Sequence, residues 1–145
     1  MKKIIIRIAS PKDIHAVMSI GNTIKEFVAS RKTSFHSMKE LKEYISRKKD
    51  NIFLVAELEK KVVGFLHGKI IWHGWCMIDT VAVMNGYRGR GVGSLIVERM
   101  QRNLKKKGVF FIQGLVGESY KRTRKFWKKK GFKEGRRFIW FEKYL

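Results

Sequence analysis

The stretch Val81-Ala82-Val83-Met84-Asn85-Gly86-Tyr87-Arg88-Gly89-Arg90-Gly91-Val92-Gly93-Ser94 decides the fold of this chain. It reads as a strand, a glycine-rich turn and a helix. Ile78 to Met84 is an apolar, β-branched run, as a strand prefers. From Val92 to about Lys107, the residues Val92, Leu95, Ile96, Met100 and Leu104 recur at spacings of three and four, which marks one buried helical face. The turn places glycines and arginines at the start of that helix. Unpaired N–H groups and the positive dipole end gather there, and glycine lets an anion approach the backbone. The pattern is a site for a phosphate or pyrophosphate.

Two common phosphate motifs are excluded by spacing. A P-loop needs Lys-Ser or Lys-Thr after its glycines, and neither follows here. A dinucleotide fingerprint needs Gly-x-Gly-x-x-Gly and an acid about 20 residues on. This chain has Gly89-x-Gly91-x-Gly93, and Val109-Phe110-Phe111-Ile112-Gln113 after the helix holds no acid. Arg88, Gly91 and Gly93 instead match Arg/Gln-x-x-Gly-x-Gly. With Val81-x-Val83 before it and a long amphipathic helix after it, the segment resembles the acetyl-CoA-binding motif of the GNAT N-acetyltransferase family.

The rest of the chain extends that resemblance. Strands are expected at Lys3 to Ile8, Ile52 to Glu57, Val62 to Trp72, Trp75 to Met84 and Val109 to Val116, with a last one at Arg137 to Tyr144. Helices are expected at Pro11 to Ile24, Ser37 to Arg47, Val92 to Lys107 and Ser119 to Lys130. Phe126-Trp127-Lys128-Lys129-Lys130-Gly131-Phe132 parallels the Tyr-x-x-x-Gly-Phe ending of the family. The resemblance implies an α/β fold. Its sheet is mixed, mostly antiparallel and twisted, with six to seven strands flanked by about four helices, in one domain spanning residues 1–145. Local signals set boundaries. Ser10-Pro11-Lys12-Asp13 is a helix start, Glu59-Lys60-Lys61 a polar hairpin turn, and Gly108 and Gly131 helix ends.

Composition narrows the class. Apolar residues make up 44% of the chain, enough for a core, and no run approaches a membrane span. The single cysteine, Cys76, excludes an internal disulfide, so a cytoplasmic protein without membrane contact is expected. Cys76 lies between Trp75 and Met77 and reads as a small buried strand residue. The net charge is +21. One basic cluster is Lys121, Arg122, Arg124, Lys125 and Lys128 to Lys130; another is Arg99, Arg102 and Lys105 to Lys107. Three readings stay open: a solvated face, attraction of the anionic coenzyme, or a nucleic-acid or acidic-protein partner. The charge argues against a polycationic acceptor unless a local acidic pocket offsets it.

The resemblance implies a chemistry and assigns residues to it. Acetyl-CoA is the cosubstrate, and no metal is expected, because His67 and His73 lack a third ligand at useful spacing. The main chain of Val81, Ala82 and Val83 would bind the pantetheine arm and acetyl carbonyl. The amides of Arg88, Gly89, Arg90, Gly91, Val92, Gly93 and Ser94 would hold the pyrophosphate. The acceptor is a primary amine: a small molecule, a protein N-terminus or a lysine. It would attack directly in a ternary complex. Asp79, an acid in an apolar strand, is the expected general base, placed by the period of two on the face of Val81 and Val83. A structural ion pair is the alternative role for Asp79. Glu57 and Glu118 are second choices. The family's usual proton-donating tyrosine falls on Trp127, whose indole does not give up a proton at useful pH. Tyr120, Ser119, Tyr87 or water would then protonate the thiolate, and Tyr120 is the residue carried forward. By position, Glu26, Phe35 and His36 would line the acceptor site. A homodimer through Phe138-Ile139-Trp140-Phe141 stays open. So does a non-catalytic module of the same fold that binds acetyl-CoA or nucleic acid.

Overall fold

The computed structural model describes residues 2–27 and 35–145. They fall into two compact units, Met1–Leu115 and Val116–Leu145.

The first unit is a sheet of order β1-β2-β3-β4-β5: β1 is Ile4–Ile8, β2 Asn51–Leu58, β3 Lys61–Trp72, β4 Trp75–Val83 and β5 Phe111–Gly114. The first three pairings are antiparallel, and β4–β5 is parallel. A parallel pair needs a crossover, and the helix α3, Val92–Lys106, supplies it. Helices α1 (Ile14–Gly21) and α2 (Met38–Ser46) cover the other face. There Ile14, Val17, Ile20, Leu41 and Ile45 pack on Phe53, Val55, Phe65 and Ala82. In α3 the buried stripe is Val92, Ile96, Val97, Met100 and Leu104. Val97 replaces the expected Leu95, which is exposed at the margin of the stripe. The expected C-caps hold: Gly108 and Gly131 both take positive φ just beyond a helix.

The helix start at Ser10 is tighter than expected. Pro11–Asp13 forms a 3-10 turn before α1 begins. Asp13, 3% exposed, accepts from Ser10 N at 2.8 Å and from Arg7 Nη1 and Nη2 at 2.7 and 2.8 Å. Arg7 also holds Glu57 at 2.9 Å, so Glu57 is a structural carboxylate and not a base. Burial opposes the Asp13 charge, but Arg7 and Ser10 outweigh it and lower its pKa. A lowered folded pKa gives stability that is full above about pH 4, the unfolded value, and lost as pH falls below it. We expect Arg7→Met to cost about 2 kcal/mol at pH 7 and much less at pH 3. Urea unfolding at the two pH values checks this; equal losses at both would contradict it.

Among the described residues the sheet has five strands, not six to seven. The expected last strand, Arg137 to Tyr144, is not formed; residues 133–145 carry no regular structure. Phe138, Ile139, Trp140 and Phe141 are exposed. The run has strand-forming residues, but a strand exists only as one side of a ladder, and this run forms none. The second unit contains α4, Lys121–Lys129. Trp127 packs edge-on against both Phe126 and Phe132. Arg124 donates to Glu134 at 2.8 Å and to the carbonyl of Glu118 at 2.9 Å. Arg124 and Lys128 together hold Glu134 down to about 2. No helix among the described residues is long and apolar enough to cross a membrane.

Candidate functional site

Two features of β4 define the site. The first is where its pairing stops. On the β3 side the ladder runs to Val83, opposite Gly64. On the β5 side it ends at the pair Ile78–Gly114. The β5-facing edge from Asp79 to Val83 therefore has no strand partner among the described residues. Such an edge presents main-chain donors and acceptors to a ligand. This is the opening expected around Val81, Ala82 and Val83.

The glycine turn follows directly. Gly86, Gly89 and Gly91 all take positive φ. Gly91 is the N-cap of α3 in the left-handed region, φ +83 and ψ 0, with no side-chain cap. The helix ladder begins with Leu95 N to Gly91 O at 3.0 Å. The amides of Val92, Gly93 and Ser94 thus lack intrahelical acceptors by geometry. A Cβ built on Gly86, Gly89 or Gly91 meets nothing within 4 Å, so the turn is open on the Cβ side of each. Arg88 braces the turn, its Nε donating to Val83 O at 3.0 Å. Arg90 sits 5.4 Å from the ring centre of Tyr87, with Lys61 at 5.5 Å from the same ring. The positive charge at the turn is held in place by these contacts.

The second feature is a bulge. His67 pairs with Thr80 and Gly68 with Ile78, which leaves Asp79 as the extra residue on β4. A bulge re-aims the residue that it inserts. Asp79 therefore does not share the face of Val81 and Val83, as strict alternation predicts. Its carboxylate turns to the helix-covered face and meets His67, whose ring packs on Phe53 of the core.

Four side chains converge there. Asp79 Oδ2 lies 2.6 Å from His36 Nε2 and 3.0 Å from His67 Nδ1. His67 Nε2 lies 2.8 Å from Asn51 Oδ1. His67 is fully buried; the side chains of His36 and Asp79 are 20% and 30% exposed. Tyr44 stacks on His67 with ring centres 4.2 Å apart. The two imidazoles outweigh the cost of burying the Asp79 charge and hold its carboxyl far below the usual range. Burial holds the His67 imidazole below its ordinary value, and Asp79 offsets only part of that. The three donor atoms of His36, His67 and Asp79 lie within 4.8 Å of one another, a spacing that a metal ion could bridge. The two separations to Asp79 are those of hydrogen bonds.

His36 owes its place to local sequence. It precedes Ser37, the N-cap of α2, where a capping box ties the backbone. Ser37 N donates to Glu40 Oε2 at 2.7 Å, and Glu40 N to Ser37 Oγ at 3.2 Å. Phe35, expected at the acceptor site, is buried in the core. It stacks between Phe27 and Phe65, with ring centres 5.7 and 5.6 Å away. Glu26 is exposed on the 3-10 turn Lys25–Phe27. Tyr120 belongs to the second unit, where it is the N-cap of α4 and 37% exposed. Glu118 pairs with Arg137 at 2.8 Å. Cys76 is fully buried, and burial pushes its thiol up to about 11, which makes it inert at neutral pH.

The structure thus joins Asp79 and His36, expected in separate roles, and adds His67 and Asn51. Sequence gave little hint of either addition. A histidine inside the apolar run Val62 to Trp72 was the one available signal.

Comparison with known proteins agrees with this geometry. A family model described as the acetyltransferase (GNAT) family matches residues 20–132. No curated protein matches the chain by sequence. Among solved structures, the chain is similar to the PaiA N-acetyltransferase of Thermoplasma acidophilum in complex with coenzyme A. The TM-score is 0.80 at 22% identity, over 90% of each chain. It is similar to the aminoglycoside acetyltransferase AAC(6')-Iy in complex with a bisubstrate analogue, with TM-score 0.80 at 16% identity over 99% of each chain. It also resembles Ard1 from Thermoplasma volcanium, with TM-score 0.73 at 25% identity, over 89% of this chain and 82% of that one.

Proposed function

The chain belongs to the GNAT acetyltransferase family, and from that premise we propose that it transfers the acetyl group of acetyl-CoA to a primary amine. The observation that carries the reading is the unpaired edge of β4 leading into the open glycine turn. In this proposal the main chain of Val81, Ala82 and Val83 holds the pantetheine arm and polarises the acetyl carbonyl. Donors aimed at a developing oxyanion are usually the largest catalytic contribution. The amides from Arg88 to Ser94 receive the pyrophosphate, with Arg88 and Arg90 adding charge. The amine loses its proton at the Asp79–His36 cluster, and water returns a proton to the thiolate.

The acceptor is a cation that must reach a strongly basic protein. The Glu40 carboxylate beside His36 gives the cluster a local negative charge against the long-range repulsion. A small amine therefore fits as well as a peptide.

The test has two stages. Calorimetric titration of acetyl-CoA should give micromolar binding. Thiol release is then followed with four acceptors: a peptide with a free N-terminus, a lysine peptide, spermidine and kanamycin. Release above the hydrolysis background with at least one acceptor is expected. Binding without release for any of them would favour a non-catalytic binding module.

A further inference from the structure

The buried hydrogen bonds around Asp79 contain one proton more than neutral imidazoles and a free carboxylate can supply. Asn51 fixes the count. Its Nδ2 donates to the carbonyl of Arg47 at 3.0 Å, so its Oδ1 must be the atom that faces His67. An amide oxygen only accepts, so His67 Nε2 carries a proton. His67 Nδ1 then meets Asp79 Oδ2 at 3.0 Å. A carboxylate also only accepts, and two bare acceptors would not sit at that distance in a buried site. A second proton therefore occupies this contact. It belongs to the pair, since the two groups titrate together. On the other side, His36 Nε2 lies 2.6 Å from the same oxygen and must donate to it. The lone pair of a neutral His36 is left on Nδ1.

We propose that His36 is the general base of the transfer, that Asp79 positions it, and that the proton shared between Asp79 and His67 tempers the negative charge facing His36. This rests on the acetyltransferase reading. Access favours His36: His67 has no exposed surface and is covered by Tyr44 and Phe53, whereas His36 reaches the surface. Basicity also favours His36, because a carboxylate that accepts from two imidazoles is a poor match for an ammonium.

The charges facing His36 explain the buried proton. Glu40 of α2 has Oε1 3.8 Å from Nδ1, and Asp79 of β4 accepts from Nε2. The Tyr44 ring meets the imidazole edge-on at 5.2 Å, and the Phe35 ring lies at the same distance. The His67 ring is 6.1 Å away, and Lys69 sits 4.8 Å from the Tyr44 ring centre. Two full anions would hold His36 as an imidazolium, which is useless as a base. The proton between Asp79 and His67 cancels much of one anion, while the oxygen still orients the ring.

The proton balance is simple. His36 Nδ1 takes one proton from the acceptor ammonium and passes it to solvent. The freed lone pair forms the C–N bond as the C–S bond breaks. The sulfur keeps the electron pair and gains the second nitrogen proton through water, giving coenzyme A thiol.

The test uses isosteres chosen atom by atom. Gln places its amide nitrogen where His has Nε2, so His36→Gln keeps the donor to Asp79 and removes the base. Asn places its nitrogen where His has Nδ1, so His67→Asn keeps the donor and removes the extra proton. With the acceptor that works best, kcat should fall about 100-fold in His36→Gln at pH 7. Its rate should keep rising with pH where the wild type levels off, with acetyl-CoA binding unchanged. In His67→Asn the full Asp79 charge favours the His36 imidazolium. The acidic limb should move up by about one pH unit. A His36→Gln enzyme with the wild-type profile, or with a raised KM alone, overturns the base assignment. An unmoved limb in His67→Asn overturns the shared proton.

Nitrogen-15 spectra of the wild-type rings need no acceptor and no variant. A proton on Nε2 of His67, and a second one in the contact of its Nδ1 with Asp79, are expected at pH 7. A bare Nδ1 in His67, or loss of the His36 Nε2 proton to micromolar Zn2+, overturns the proposal. Failure of the wild type to acetylate any acceptor is a different result, and overturns the acetyltransferase reading itself.

Discussion

A Gly91→Glu variant should bind acetyl-CoA at least about 100-fold more weakly than the wild type, which is about 2.7 kcal/mol. Two physical effects act together. Gly91 holds φ +83 at the N-cap of α3. A side chain with a Cβ pays about 1–2 kcal/mol to stay in the left-handed region. Relaxation toward ordinary φ would rotate the first amides of α3 away from the turn. The second effect is charge. A carboxylate beside the positive end of α3 satisfies the same free N–H groups that the pyrophosphate needs, and it repels that anion. The substitution meets no steric wall, since a Cβ at Gly91 has no neighbour within 4 Å. Folding should therefore survive, and a thermal melt within a few degrees of wild type is part of the expected result. Asn tolerates the left-handed region, so Gly91→Asn separates strain from charge. It should lose less than about tenfold in binding. If Gly91→Glu binds acetyl-CoA as the wild type does, the pyrophosphate does not sit on this turn.

Sequence revealed most of the scaffold and little of the proton chemistry. The strand–turn–helix unit was legible because each part carries a local signal. The apolar run makes β4, the glycines permit positive φ, and spacings of three and four mark α3. Their combination left one reading. Ser10 with Asp13 announced the turn before α1, and α2 lies within the expected Ser37 to Arg47, but α1 starts at Ile14 and ends at Gly21, short of the expected Ile24. The terminal strand was misread because strand propensity is local, while a strand needs a partner. Asp79 stood out as an acid in an apolar strand, but its partners did not. His36 and His67 lie 43 and 12 residues from it, and no periodicity links them. The face of Asp79 was also misread. One inserted residue in the β3–β4 ladder reverses the alternation, and nothing local in His67-Gly68 or Ile78-Asp79-Thr80 announces a bulge. Function is built here from exceptions to the regular pattern, as the β4 edge also shows: the ladder to β5 stops where the chemistry begins.

The link between packing and function can be tested at Gly64, whose own atoms take no part in the proposed chemistry. Gly64 faces Val83 across the β3–β4 ladder. A Cβ there would lie 2.9 Å from the carbonyl oxygen of Ala82 and 3.3 Å from both Ile96 and Val92. The oxygen is backbone, so it cannot swing aside. Val92 and Ile96 are fully packed side chains of α3, 1% and 0% exposed. Gly64→Val therefore has two ways to relax. It can push β4 away from β3, or lift the first turn of α3 off the sheet. Overpacking of this kind costs about 3 kcal/mol, and the melting temperature should fall by roughly 10 °C. Either relaxation displaces a part of the proposed coenzyme site, because β4 carries Val81 to Val83 and the first turn of α3 carries the open amides. Acetyl-CoA affinity should then fall about tenfold well below the melting temperature, where the protein is still folded. The ring spectra of His36 and His67 should stay close to wild type, since their bonds to Asp79 lie on the other face of the sheet. A Gly64→Ala variant should show the same two effects at smaller size. Lost stability with unchanged affinity would mean that the coenzyme does not depend on the spacing of β3, β4 and α3, and would move its site away from the β4 edge.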